Sequence, residues 1–353
     1  MIQGQKNTEA NYRAVMLDSS SSLKDFSLDR KKYHRKYILN ETIEEKDTAA
    51  ANMGRLVETI LMEPELFEEK FFLSCCASAP TGLMLEFVEA LYRVTRDATD
   101  ESGNVSRNFE SLSKEAYDIS SFKIKYEAVI NKFVGSDAEL YYHEIRKVRT
   151  NNLTVVTSLD VTMAEKIVET LKRSSVTSPI VNTVDSVRYT VINQLQVEDY
   201  VVFYHNFKSM MDKVIVDHEE ETIQVYDLKC TWNVENFFEE YYLYRRAYIQ
   251  AYLYKKAAEH LASIEGTEYH GYTVLNPRFI VCDSANYYSP LVYTLSDEDM
   301  LDAEQGFEYK GRTYPGVEGL IRSLKWATDN NIWEISEENF LCDGVINIRT
   351  QWK

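Results

Sequence analysis

Residues 208 to 254 constrain this chain more than any other stretch. They read KSMMDKVIVDHEEETIQVYDLKCT and then, after a short gap, pass into a helical pattern containing YRRAYIQAYLY. The first part is β-branched and alternating, as two strands would be, and His218-Glu219-Glu220-Glu221 is the polar knot of a hairpin turn between them. Each strand carries an acid: Asp212 on the first and Asp227 on the second, followed by Lys229. Ionisable groups on otherwise apolar strands are costly to bury unless they face a site that uses them. Gln250 and Tyr254 are four positions apart in the helical part, so they share one helix face.

The flanking sequence defines the class. Alternation begins at Val184 (SVRYTVIN, QVEDYVVFYH) and runs on to Cys230, which predicts an antiparallel three-strand meander. A long helix is predicted over 235 to 262, then strands near 272 to 282 and 291 to 294, and a helix near 317 to 327. The first half is helical. DSSSSL at 18 to 23 is a helix entry, and 42 to 62 is an amphipathic helix through Met53, Leu56, Val57, Ile60 and Leu61. Pro64 opens a short helix, ELFEEKFF. Further helices are predicted over 82 to 147, broken by the polar DESGNVS at 100 to 106, a candidate mobile loop, and another over 161 to 172. The order helix, antiparallel meander, helix, strand is α+β. We expect a single domain over 1 to 353, in which a mainly helical part, 1 to 180, supplies the leading helix 42 to 62, and 184 to 335 forms the sheet core. Only 6 Pro and 12 Gly argue against a long linker.

Composition narrows the partners. A net charge of −17 opposes bulk attraction to nucleic acid. The charge is uneven, however: residues 24 to 37 hold six Lys or Arg against two acids, and Arg146, Lys147 and Arg149, then Lys166, Lys172 and Arg173, form smaller clusters. Taken singly, each reads as a solvated helix face; an inward-facing basic channel is the alternative. No run of about 18 apolar residues is present, so no membrane helix is expected, and the opening MIQGQKNTEANYR lacks the apolar core of a secretory signal. Five cysteines without a C-x-x-C fit a reducing cytoplasm and oppose a zinc ribbon or an iron–sulfur cluster.

Two acids and a lysine in this pattern suit phosphodiester hydrolysis. The attacking water meets negative charge, and a divalent cation relieves this by lowering the water pKa and neutralising the transition state. Mg²⁺ takes hard oxygen ligands from one or two carboxylates and keeps several waters, a role open to Asp212 and Asp227. Lys229 shares the face of Asp227 and could orient the water or stabilise the developing charge. A lone D-x-K also occurs as a surface ion pair. The acid 15 residues upstream and the Q-x-x-x-Y helix downstream make that reading weaker in this chain.

With these pieces in order, the chain resembles the PD-(D/E)XK nuclease superfamily, and most closely the RecE-like phage and prophage exonucleases related to the RecB-type nuclease domain. SSSSLKDF at 19 to 26 is similar to the Ser-x-Ser-x-Leu-Lys opening of that group, MGRLVETILMEPELFEEKFF at 53 to 72 to its Gly-x-x-x-His-x-x-x-Leu-Glu-Pro-x-x-Phe helix, and WATDNNIWEI to its ending. The middle, about 82 to 180, matches loosely. Met211 stands where the superfamily name has Pro, and Glu58 replaces the leading-helix His. Glu58 is then either a third metal ligand or an exposed helix acid. The resemblance implies Asp212, Asp227 and Glu58 as metal ligands, Lys229 as catalytic, and Gln250 and Tyr254 as contacts to the scissile nucleotide; Glu198 and Thr231 are weaker candidates. It further implies a Mg²⁺-dependent exodeoxyribonuclease, with Mn²⁺ as substitute, acting on linear duplex DNA ends for recombination. A homo-oligomeric ring with residues 30 to 36 lining its channel, and a single-strand annealing protein as partner, belong to the same implication. An endonuclease or repair nuclease of the same fold, or an inactive DNA- or partner-binding protein, are the alternatives.

Overall fold

A computed structural model describes residues 9–43, 48–76, 79–286 and 288–348. The chain divides into two compact units, Met1–Met62 with Lys166–Lys353, and Glu63–Glu165. The leading helices thus share a unit with the sheet, and the intervening residues form the other unit.

The larger unit is α+β and built on a mixed sheet. Its strands are β1 (Tyr189–Val202), β2 (His205–Asp217), β3 (Thr222–Thr231), β4 (Thr273–Val274), β5 (Arg278–Asp283) and β6 (Leu291–Thr294). The order is β1-β2-β3-β5-β6, with β4 pairing parallel to the start of β3. The predicted meander is present: β1–β2 and β2–β3 are antiparallel, and the two separate alternating runs before 205 form one long strand. β5 then joins β3 in parallel, which requires a crossover connection. That crossover contains the helix α3 (Ala247–Ser263), which packs on β1, β2 and β3. Helix α1 (Ser20–Leu28) packs on α3, α4 (Val317–Asn330) packs on α1, and α2 (Ala49–Met62) packs on β3. The core beneath is aliphatic and aromatic, with Leu23, Phe26, Phe207, Met211, Tyr248, Leu253 and Phe279 all buried.

Local chemistry explains most element ends. The serine run is a capping box: the Ser19 hydroxyl accepts the Ser22 amide at 3.3 Å, and the Ser22 hydroxyl accepts the Ser19 amide at 2.8 Å. The helix predicted over 235 to 262 is instead divided. Val234–Asn236 is a 3₁₀ turn, Phe238–Tyr244 is a wide π turn, and Arg246 takes a left-handed φ of 55° before α3 begins. Its apolar spacing could not distinguish one helix from two segments that seat Phe237, Tyr242 and Tyr248 on the same core. Helix 42 to 62 is described from Ala49, and residues 44–47 lie outside the described residues.

The smaller unit is helical. Gly82–Asp97, Phe109–Ile119, Tyr126–Phe133 and Asp137–Thr150 enclose Phe87, Leu91, Val129 and Phe133. The predicted ELFEEKFF helix stops at Lys70, because Phe71–Leu73 pairs as a parallel strand with Thr154–Val156, a partner remote in sequence. The polar break at 100 to 106 is a hydrogen-bonded turn: Asp100 accepts the amides of Ser102 and Asn104 at 3.0 and 2.8 Å.

Lys208 ties the first helix of the larger unit, Glu9–Ala14, to β2. Its ammonium, on a residue 7% exposed, donates to the carbonyls of Val15 (2.7 Å), Tyr12 (2.8 Å) and Arg13 (3.3 Å). Those carbonyls lie at and just past the end of that helix, where the turn that follows bonds Tyr12 and Val15 only through the Val15 and Leu17 amides at 3.3 and 3.0 Å. Lys208→Met keeps the stem and removes the donors, and we expect it to cost about 2–3 kcal/mol. Urea denaturation of the whole protein checks this; an unchanged midpoint would mean that water replaces the ammonium without loss.

Candidate active site

The sheet forks where the acids stand. The β2–β3 ladder runs from Asp217↔Thr222 to Lys213↔Tyr226 and stops; the next facing pair would be Asp212 and Asp227. Beyond the fork β3 is held by β5, with Asp227↔Phe279 through Thr231↔Asp283. An amide released from a ladder needs another acceptor, and the Asp212 carboxylate supplies it, taking the Leu228 N–H at 2.8 Å. On the other side of β2, the β1 ladder breaks at Gln194, which takes a left-handed φ of 52° between the pairs Asn193↔Lys213 and Leu195↔Met211. Its side chain donates to Glu58 on α2.

Asp227 is 1% exposed and held from two sides. Its Oδ2 is ion-paired with the Lys229 ammonium, two residues along the same strand face. Its Oδ1 accepts the Gln250 amide at 2.7 Å. Gln250 is a junction on α3: the same Nε2 also donates to the Tyr254 hydroxyl at 2.8 Å, and its Oε1 accepts the Lys24 ammonium at 3.2 Å. Because an ammonium can only donate, Lys24 leaves the amide one orientation, with its nitrogen toward Asp227. Tyr254 completes the chain by donating to the Met210 carbonyl at 2.6 Å.

The electrostatics follow from crowding three carboxylates and two ammonium groups together, with Asp227 buried and the other four half-buried. Burial, then the charges of Asp227 and Glu58, hold the Asp212 carboxyl well above the usual carboxylate range, against the pull of Lys229 and the Leu228 amide. Burial opposes the Lys229 charge, but Asp227, Asp212 and Glu58 outweigh it and its pKa is raised. Burial and then Lys229 push the Lys24 amine down to about 8, with Asp227, Asp25 and Asp212 opposing. Burial, with Asp212 and Asp227, raises the Tyr254 phenol well above its ordinary value, so it stays a neutral donor.

The structure therefore brings together Asp212, Asp227, Lys229, Gln250 and Tyr254, with Glu58 close enough for its charge to act on Asp212 and Lys229. Among the described residues, no group of three or more His, Cys, Asp and Glu side chains is disposed to hold a metal ion, so the expected three-carboxylate set is not assembled as a cage. Glu58 accepts a hydrogen bond from Gln194, and Lys229 is ion-paired with Asp227. The remaining donors still fit Mg²⁺, which takes one or two carboxylates and keeps several waters. The mutual repulsion that keeps the Asp212 carboxyl high is also what a further cation would relieve.

The weaker candidates lie elsewhere. Glu198 stands beside Tyr12 and Lys208, and the Thr231 hydroxyl accepts the Asn233 amide at 3.3 Å in the turn after β3. Three features were not singled out from sequence: Lys24, signalled only by its place in SSSSLKDF and in the basic cluster 24 to 37; Gln194, whose left-handed backbone nothing announces; and Cys230 with Cys282, free thiols on paired strands with sulfurs 3.0 Å apart. The basic clusters are mostly engaged within the chain. Arg30 donates to the Ile335 carbonyl at 3.0 Å, Lys32 and Lys36 reach Asp25 at 2.8 and 3.4 Å, and Arg35 pairs with Glu41 at 2.6 Å. Arg149 pairs with Glu89 at 2.7 Å, and Arg173 with Glu169 at 2.6 Å. No helix among the described residues is long and apolar enough to cross a membrane.

No protein-family model and no curated protein matches the sequence. Among solved structures, the chain is similar to a crystal structure of a protein from Eubacterium rectale that carries a provisional exonuclease designation. The TM-score is 0.44 at 12% identity, over 85% of this chain and 82% of that one. A likeness this slight carries no argument about activity.

Proposed function

We propose that this chain is a metal-dependent deoxyribonuclease of the PD-(D/E)XK type, an exonuclease that resects linear double-stranded DNA ends for recombination. One observation carries the reading: Asp212 and Asp227 face each other at a fork in the sheet, with Lys229 on Asp227 and Asp227 held by Gln250 of the Gln250–Tyr254 face of α3. A structural ion pair would not need a second desolvated acid opposite it, because that acid's repulsion is a standing cost. Asp212 and Asp227 would hold Mg²⁺, or Mn²⁺ in its place, with Glu58 behind them. The cation supplies the activated water and neutralises the charge gathering on phosphorus.

The protein's own groups do the rest. Gln250 fixes the rotamer of Asp227, and Tyr254 fixes Gln250 against the backbone of β2. Lys229 is the ammonium paired with Asp227 among the described residues, and its assigned role is to meet the attacking water or a non-bridging oxygen. A ring of copies around DNA, and a single-strand annealing protein as partner, are parts of the same proposal.

The test is digestion of linear duplex DNA labelled separately at its 5′ and 3′ ends, with Mg²⁺ or with EDTA, beside a covalently closed circle. We expect Mg²⁺-dependent loss of the linear substrate alone, and the label gives the polarity. Cutting of the circle would replace the exonuclease with an endonuclease. No cleavage of any substrate by folded protein would leave a binding protein on this fold.

A further inference from the structure

Lys24 belongs to the same site yet has no part in the chemistry assigned so far. It reaches the site from α1, more than two hundred residues from Gln250 in sequence. Leu23 and Phe26, fully buried on either side of it, anchor that helix in the core, so the side chain is delivered to the cluster rather than straying into it. Among the described residues its one hydrogen bond runs to a neutral acceptor, Gln250 Oε1 at 3.2 Å. An ammonium has three N–H donors, and on this half-buried side chain two of them are left to water or to an incoming acceptor. Asp227, the carboxylate that acts on it most strongly, is already bonded to Lys229 and Gln250. Two neighbouring ammonium groups, one with spare donors, suit a tetrahedral oxyanion.

We propose that Lys24 binds a non-bridging oxygen of a DNA phosphate at this site, resting on the nuclease reading above. Lys24 and Lys229 then divide the work. Lys229 stays with Asp227 and the reacting centre, while Lys24 clamps the strand and, through Gln250, keeps the Asp227 amide contact in register. The phosphate is either an internal diester or the terminal monoester of a 5′ end; both present the same oxygens.

The experiment is fluorescence anisotropy of a short duplex labelled at its 3′ end, prepared with a 5′-phosphate or a 5′-hydroxyl. It is titrated with full-length wild type, Lys24→Met and Lys24→Arg in Ca²⁺ across a range of salt concentrations. Lys24→Met should weaken binding about tenfold and reduce the salt slope by about one, and Lys24→Arg should restore most of both. A loss confined to the 5′-phosphate duplex assigns Lys24 to the terminal monoester, and an equal loss on both assigns it to a diester. If Lys24 only orients Gln250, Lys24→Met will slow cleavage with the affinity and salt slope unchanged, and the proposal fails. Melting curves show whether Lys24→Met is folded; if it is not, Lys24→Gln, which is shorter and still polar, takes its place in the same titration. Wild type that binds DNA without cleaving it, with Lys24→Met binding more weakly, would retain Lys24 and remove the nuclease. Wild type that binds no DNA would remove both.

Discussion

Asp227→Asn should abolish Mg²⁺-dependent cleavage, lowering kcat/KM by at least about a thousandfold, or roughly 4 kcal/mol of transition-state stabilisation. The substitution keeps the shape of the side chain and an oxygen for the Gln250 amide, which lies at 2.7 Å. It removes the charge that pairs with Lys229 and half of the acid pair at the fork. Stability should change much less than activity. Breaking a buried ion pair is ordinarily destabilising, but here the same change removes the second cause, after burial, of the raised Asp212 pKa, and Asp212 is left to neutralise Lys229. A melting curve without added metal should therefore lie within a few degrees of wild type. Cleavage within tenfold of wild type would exclude Asp227 from the chemistry.

Lys229→Met should move two measurements in opposite directions. Cleavage falls by about 10²–10³-fold, the usual cost of losing one charge-stabilising donor. Divalent-cation binding, followed by calorimetry, becomes tighter, because the ammonium that holds Asp227 Oδ2 competes for the oxygen a metal would use. Losing a positive charge beside Asp212 adds to the effect. If binding of Mg²⁺ weakens in this variant, Lys229 supports the metal rather than competing with it for Asp227.

Much of the site is legible in the sequence because strand and helix periodicities are local. Asp227 and Lys229 share a face by the two-residue repeat, and Gln250 and Tyr254 by the helical turn, without reference to anything distant. The hairpin knot at 218 to 221 likewise dictates that Asp212 and Asp227 run toward each other on antiparallel strands. Other features depend on partners far away in the chain. Phe71–Leu73 reads as the end of a helix until Thr154–Val156 pairs with it. The helix over 235 to 262 reads as continuous until Arg246 takes a left-handed turn to seat Tyr248 in the core.

The α+β class, the meander, and the pairing of an acid with an acid-x-lysine strand all follow from patterns spanning a few residues. That β2 and β3 part at those acids, that Gln194 bonds Glu58 across the ladder break, and that Lys24 completes the Gln250 junction depend on the folded chain as a whole. Each of these rests on where a backbone or charge with no local partner finds one, and desolvation makes that choice only once the whole chain has closed around it.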